Sequence, residues 1–140
     1  METVGVDTNV LISALVGHGK PKRLVTSLLK EHRLITSMEM LAELADVLSR
    51  AKFDKVKKRQ REKFLSILAG KADVVRIQEY VDIITEDSED NIVLSTASEG
   101  NANYIVTGDK HLLSLKQFKG IKIVTVNKML EKIHEDCLGL

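Results

Sequence analysis

What the sequence lacks narrows its class first. It has one cysteine, Cys137, close to the carboxyl end, so no internal disulfide can form and no thiolate pair is available for a zinc site. A reducing compartment is the expected home. Pro21 is the sole proline, and no low-complexity segment, internal repeat or interdomain linker interrupts the chain. No stretch approaches the roughly 18 uninterrupted apolar residues of a membrane span. The start, Met1 to Asp7, runs into a strand pattern without a basic leader. A cytoplasmic protein with no membrane contact is therefore expected. Tryptophan is absent, and Tyr80, Tyr104 and three phenylalanines make up the aromatic set, too few for an evident stacking platform.

Charge of one sign is lacking as well: the formal net charge is +1, but it conceals an uneven distribution. Lys52, Lys55, Lys57, Lys58, Arg59, Arg61 and Lys63 crowd one segment, and Asp82, Glu86, Asp87, Glu89 and Asp90 crowd another. That division suits a polyanion held on one surface and acted on at another, although a solvated helix face explains a charge run equally well.

What is present is patterned for one compact domain, residues 1–140, long enough to bury a core unaided. Thr3 to Val6, Arg33 to Thr36, Val74 to Ile77, Tyr104 to Thr107 and Lys122 to Val126 are short apolar runs rich in β-branched residues. Runs without polar alternation are typical of strands covered on both faces of a parallel sheet. Between them fall helical spacings, such as Leu24, Val25, Leu28 and Leu29, or Met40, Leu41, Leu44, Val47 and Leu48. Pro21 marks a helix start, Gly70 and Gly100 follow helical runs, and Gly120 opens the last strand. Alternation of strand and helix predicts an α/β fold, a three-layer α/β/α sandwich around a central parallel sheet of about five strands. Ala51 to Gly70 is expected as the second helix of a helical hairpin that could protrude as an arm. The apolar face of Leu24 to Leu29 and this hairpin are the expected contacts of a homodimer or higher oligomer.

Open parallel sheets place their working residues beyond the carboxyl ends of the strands, near the point where strand order reverses. Asp7 follows the first strand and Asp109 follows Tyr104 to Thr107; each also suits a helix N-cap. Asp90, Val93, Leu94 and Ala97 fall at i, i+3, i+4 and i+7, so Asp90 heads the stripe that packs on the sheet and faces the strand ends. Asp87 or Ser88 is left to cap that helix. Glu43 flanks the stripe of Met40, Leu44 and Val47, nearer the buried side than Glu39 or Asp46. Several carboxylates within a few ångströms are strongly unfavourable unless a proton or cation neutralises them. Four acids at strand ends thus predict a hard divalent ion, and without a Cys or His cluster the oxygen donors favour Mg²⁺ or Mn²⁺, one ion or two. His111 and Lys110 follow Asp109, but an exposed histidine in a first turn is ordinarily surface decoration.

The order of these segments resembles the PIN domain family, including the VapC-type toxins of prokaryotic toxin-antitoxin pairs. Asp7-Thr8-Asn9-Val10-Leu11-Ile12-Ser13-Ala14 resembles its opening segment, and Ser37 through Leu48 its Glu-bearing helix. Asp87-Ser88-Glu89-Asp90-Asn91 resembles its central acidic motif, with Ser88 where relatives often place Pro. Ile105-Val106-Thr107-Gly108-Asp109 resembles its closing strand and turn. The resemblance implies a sheet with the first strand beside the fourth, and metal ligation by Asp7, Glu43, Asp90 and Asp109 as catalytic acids. Asn9, Ser13 and Thr107 match polar positions that order the acids or the scissile phosphate. It further implies Mg²⁺- or Mn²⁺-dependent hydrolysis of RNA phosphodiesters, leaving a 5′-phosphate and a 3′-hydroxyl. Lys52, Lys55, Lys57, Lys58, Arg59 and Arg61 would guide the RNA, and an antitoxin protein is an expected partner. A second expectation is a non-catalytic module of the same fold, binding RNA or protein. A phosphoacceptor signalling domain fits poorly, because Val74 to Ile77 ends without the Asp that would take the phosphoryl group.

Overall fold

The computed structural model describes residues 1–84 and 88–137. Glu86 and Asp87 lie outside the described residues, and with them the alternative that Asp87 caps the fifth helix.

The chain alternates as its pattern requires. Strand β1 (Thr3–Val6) leads to helices α1 (Thr8–Val16) and α2 (Lys20–Glu31), then to β2 (Arg33–Ser37) and α3 (Met38–Leu48). A 3-10 turn (Ala51–Phe53), α4 (Lys58–Lys71) and β3 (Asp73–Val75) follow, and then α5 (Ser88–Glu99) and β4 (Tyr104–Val106). The chain continues through α6 (Lys110–Leu115), β5 (Gln117–Phe118), β6 (Ile121–Val124) and α7 (Val126–Cys137). The sheet order is β3-β2-β1-β4-β6-β5, parallel except for β5. Strand order reverses between β1 and β4, which pair with Val6 opposite Val106. A crevice at the carboxyl ends is expected there.

Alternation along the strands builds two cores. Val4, Val6, Leu34 and Val106 point to one face, where Leu11, Leu24, Leu28 and Met129 of α1, α2 and α7 cover them. Ile35, Ile105 and Ile123 point to the other, against Val93, Leu94 and Ala97 of α5. Between Val4 and Val6, Gly5 turns its missing side chain toward α5; a Cβ there would lie 3.6 Å from that of Ala97, so the helix rests directly on the sheet. Gly100 has a stricter reason, since a Cβ would come within 2.6 Å of Ile35 Cδ1.

Several boundaries differ from the sequence expectation, each for a local reason. The five expected parallel strands are joined by a sixth, antiparallel one, because Gln117–Phe118 pairs back on Ile121–Val124. Gly120 does not open the last strand: with Lys119 it forms the two-residue turn of this hairpin, both at positive φ (50° and 81°), the twist that suits such turns. The last strand stops at Val124, because the Thr125 hydroxyl accepts the Lys128 N–H at 3.2 Å and starts α7. The third strand is Asp73–Val75 at the sheet edge, not Val74 to Ile77. The expected single helix from Ala51 to Gly70 is split by the 3-10 turn, and α4 does not protrude: Leu68 is fully buried and Phe64 and Leu65 pack on the core. Leu24, Val25 and Leu28 are spent within the chain as well, which removes the Leu24–Leu29 stripe as a free contact between copies. Among the described residues, no helix is long and apolar enough to cross a membrane.

This packing predicts that Leu24→Ala lowers unfolding free energy by about 2–5 kcal/mol, the usual cost of a buried leucine truncation. Urea unfolding should show that loss equally at low and high protein concentration; a loss that fades as concentration rises would return the stripe to an intermolecular role.

Candidate functional site

At the carboxyl ends of β1 and β4 the chain turns sharply into α1 and α6, and each turn carries an acid. Asp7 stands in the N-cap position of α1, but its side chain makes no capping bond. Its carboxylate instead accepts the Thr107 hydroxyl at 2.7 Å. That hydroxyl also accepts the Asp109 N–H at 3.0 Å, so one fully buried threonine joins the two strand ends. The backbone repeats the link, with the Asp7 N–H donating to the Val106 carbonyl at 3.0 Å. Asp109 does cap its helix: Oδ1 accepts from the N–H groups of His111 at 2.7 Å and Leu112 at 3.2 Å. The structural role considered for Asp109 is therefore real, and it coexists with a place in the crevice.

Asp90 reaches the same crevice from the first turn of α5 and is 4% exposed. The neighbouring Asn91 sets that turn, accepting the N–H groups of Ile83 and Ile84 at 3.1 and 2.9 Å and donating to the Ile84 carbonyl at 2.8 Å. Ser95 fastens the same segment one turn later, accepting the Val81 N–H at 2.8 Å. Glu43 comes from α3, whose start is fixed by Ser37: the hydroxyl accepts the Met40 N–H at 3.3 Å. Because Thr96 donates its own proton to the Ile92 carbonyl, its 2.9 Å contact with Ser37 must be donated by Ser37. Buried hydroxyls thereby lock the Glu43-bearing helix to the Asp90-bearing one. Of the other acids on α3, Asp46 faces Arg50 near solvent and Glu39 accepts the Tyr80 hydroxyl.

Asp7, Glu43, Asp90 and Asp109 all line one cavity of about 410 Å³. Asn9 and Ser13, one turn apart on the exposed side of α1, line it too, and Thr107 braces it from below. Two cavity residues carry little sequence signal. Glu89 and Arg50 sit on the wall, and the ligand atoms of His111, Asp90 and Asp109 all lie within 4.8 Å of one another. His111 is exposed, as its first-turn position implies, and that same position, two residues into the helix that Asp109 caps, brings it near the carboxylates. The basic run divides: Lys52 lines the cavity, whereas Arg61 donates to the Leu48 carbonyl at 2.7 Å and closes the end of α3. Lys58 lies 3.8 Å from Glu62 on an exposed helix face.

Burial pushes the Asp7 carboxyl above the ordinary carboxylate range; the Thr107 hydroxyl bond opposes this, and the Asp109 charge raises it further. The donor set fits a divalent cation: two buried carboxylates, Asp7 and Asp90, and two half-buried ones, Glu43 and Asp109, with the exposed His111 imidazole close to Asp90 and Asp109. Oxygen donors suit Mg²⁺ and Mn²⁺, and a nitrogen is better tolerated by Mn²⁺.

An α/β protein with acids gathered at its strand-order reversal belongs to a recognisable class. Residues 3–111 match the PIN domain, and the chain belongs to the PIN domain family. Its fold is shared with a chain in the crystal structure of VapBC2 from Rickettsia felis bound to a DNA fragment from their promoter. The two are 19% identical with a TM-score of 0.62, over 88% of this chain and 98% of that one. Among curated proteins, none matched the sequence.

A buried acid with a raised pKa binds its proton more tightly in the folded state, so its contribution to stability is present below the unfolded pKa and lost as pH rises through the folded one. In chelator, Asp7→Asn should therefore raise the melting temperature by a few degrees at pH 7 to 8, with the gain vanishing toward pH 3. It should also abolish any stabilisation by Mn²⁺. Thermal melts with equal Asn and Asp stability at pH 8 would mean that Asp7 carries no electrostatic strain.

Proposed function

We propose that this protein is a divalent-metal-dependent endoribonuclease of the VapC-like type, with Asp7, Glu43, Asp90 and Asp109 as its metal-binding catalytic acids. The observation that carries the reading is the convergence of these four acids, from four separate elements, on one cavity. Family membership supports it, since PIN domains are generally nucleases that need such ions.

When bound, Mg²⁺ or Mn²⁺ supplies positive charge that polarises the phosphodiester and acidifies water. The chain's own part is to orient. Thr107 orients the Asp7 carboxylate and anchors the Asp109 backbone, and Ser37 with Thr96 fixes α3 against α5, the helices that bring Glu43 and Asp90 to one cavity. Asn9 and Ser13 offer uncharged donors to phosphate oxygens beside the acids, and Lys52 and Arg50 offer cationic ones. Phosphate contacts of this kind hold and position the backbone without reading sequence. Lys55, Lys57, Lys58 and Arg59 lie exposed beyond Lys52 and extend the cationic approach.

A partner protein is the second part of the proposal. The same acidic cavity would receive a basic side chain from an antitoxin, so inhibition and catalysis would compete for one surface. The shared fold with a chain of VapBC2 supports a pairing of this kind.

Purified protein should cut short RNAs in Mg²⁺ or Mn²⁺ and not in chelator. Asp90→Asn should remove cleavage by at least a thousandfold while its circular dichroism and melting remain near wild type; full activity in that variant refutes the assignment. Exchanging Lys52, Lys55, Lys57 and Lys58 for Glu should weaken RNA binding by tenfold or more and flatten its salt dependence. Unchanged binding by fluorescence anisotropy would reduce the run to a solvated face.

A further inference from the structure

Beside the acidic cavity lies a second hollow of about 430 Å³ that none of the four acids enters. We propose that it is a nucleobase subsite, which takes the unstacked base of a nucleotide adjoining the scissile phosphate of single-stranded RNA. The proposal rests on the nuclease reading for its substrate and on the following geometry for its location.

The two hollows share a wall. Asn9 and Ser13, four residues apart on α1, line both, and the Thr107-Gly108 turn that carries Asp109 forms part of the second floor. A polymer whose phosphate is held among the acids must continue past this ridge. Its next phosphate would be repelled in the acidic cavity, whereas no carboxylate lines the second hollow and Lys20 contributes a positive charge.

The lining suits a base and not a second phosphate. Val10, Pro21 and Val126 supply apolar surface from three different helices. Asn127 supplies an amide that can both donate and accept, as the edge of a base requires. An unstacked base can present its flat face to apolar side chains and its edge to such groups, whereas in a duplex both are occupied. With so few aromatics in the chain, aliphatic and prolyl surface is what remains for the flat face.

A third hollow extends the path. It shares Lys20 and Asn127 with the second and adds Arg23 and His134. Glu131 also lines it. The three hollows thus run from acids, through a partly apolar surface with Lys20 at its edge, to a mainly basic one. Scissile phosphate, base and following phosphate match that sequence in order.

The test uses wild-type protein and Asn127→Ala with fluorescent single-stranded RNA hexamers, intact or abasic at one position in turn. Anisotropy in chelator measures binding, and Mn²⁺-dependent cleavage is measured separately. Loss of one particular base should weaken wild-type binding about fivefold, toward the low end of the range for a base on an aromatic ring, because the surface here is aliphatic. Asn127→Ala should bind the intact RNA several-fold less tightly and lose little more when that base is absent. Lys20→Gln with Arg23→Gln should reduce the salt slope by about 1.4, the single-strand figure for two phosphate contacts. Equal tolerance of abasic sites everywhere, or losses from Asn127→Ala and the abasic site that simply multiply, overturns the subsite. Cleavage with no base-dependent binding does the same while leaving the nuclease standing. Base-dependent binding without cleavage retains the subsite and overturns the nuclease.

Discussion

One buried hydroxyl governs the geometry of this protein. Thr107 donates to the Asp7 carboxylate and accepts the Asp109 N–H, binding together the ends of the two strands where sheet order reverses. Parallel pairing of β1 with β4 brings the strand ends adjacent, but backbone pairing alone leaves the acids free to rotate apart. Repulsion and desolvation both favour that separation. Burial and the Asp109 charge raise the Asp7 pKa, the threonine bond offsets part of that rise, and a cation would relieve the rest. The crevice is thus built at some expense to the fold, as sites prepared for charge commonly are.

A second level of order comes from α5. Its apolar residues rest on Gly5 and Ile105, while its polar residues work inward: Asn91 and Ser95 gather the preceding segment, and Thr96 meets Ser37. These side chains are nearly fully buried, so each must find a partner or cost stability. Their bonds specify one position of α5 along the sheet, and with it the depth at which Asp90 lies.

Much of this was readable before any coordinates. The helical stripe of Val93, Leu94 and Ala97 directs Asp90 to the strand ends, and strand-end placement puts Asp7 and Asp109 at the same crevice, which all three line. The first strand was found at its observed limits because apolar residues run straight into Asp7. What escaped the reading depends on contacts between distant segments. Arg61 belongs to a basic run by composition, yet its guanidinium serves the Leu48 carbonyl. His111 is exposed as its position implies, and only the approach of Asp90, which nothing in its own neighbourhood reports, goes unread. Gly120 followed by an apolar run imitates a strand opening; only the pairing of Gln117 and Phe118 with β6 shows that it closes a hairpin.

That hairpin has a further consequence. A parallel sheet ending at β6 would offer a neighbouring molecule a row of unpaired amides and carbonyls. The two-residue strand β5 covers part of that row and is itself too short to template much growth, while Lys116, Lys119 and Lys122 project into solvent around it. Short, lysine-flanked margins discourage edge-to-edge pairing, so this small addition guards one of the two borders of the sheet against a neighbouring strand.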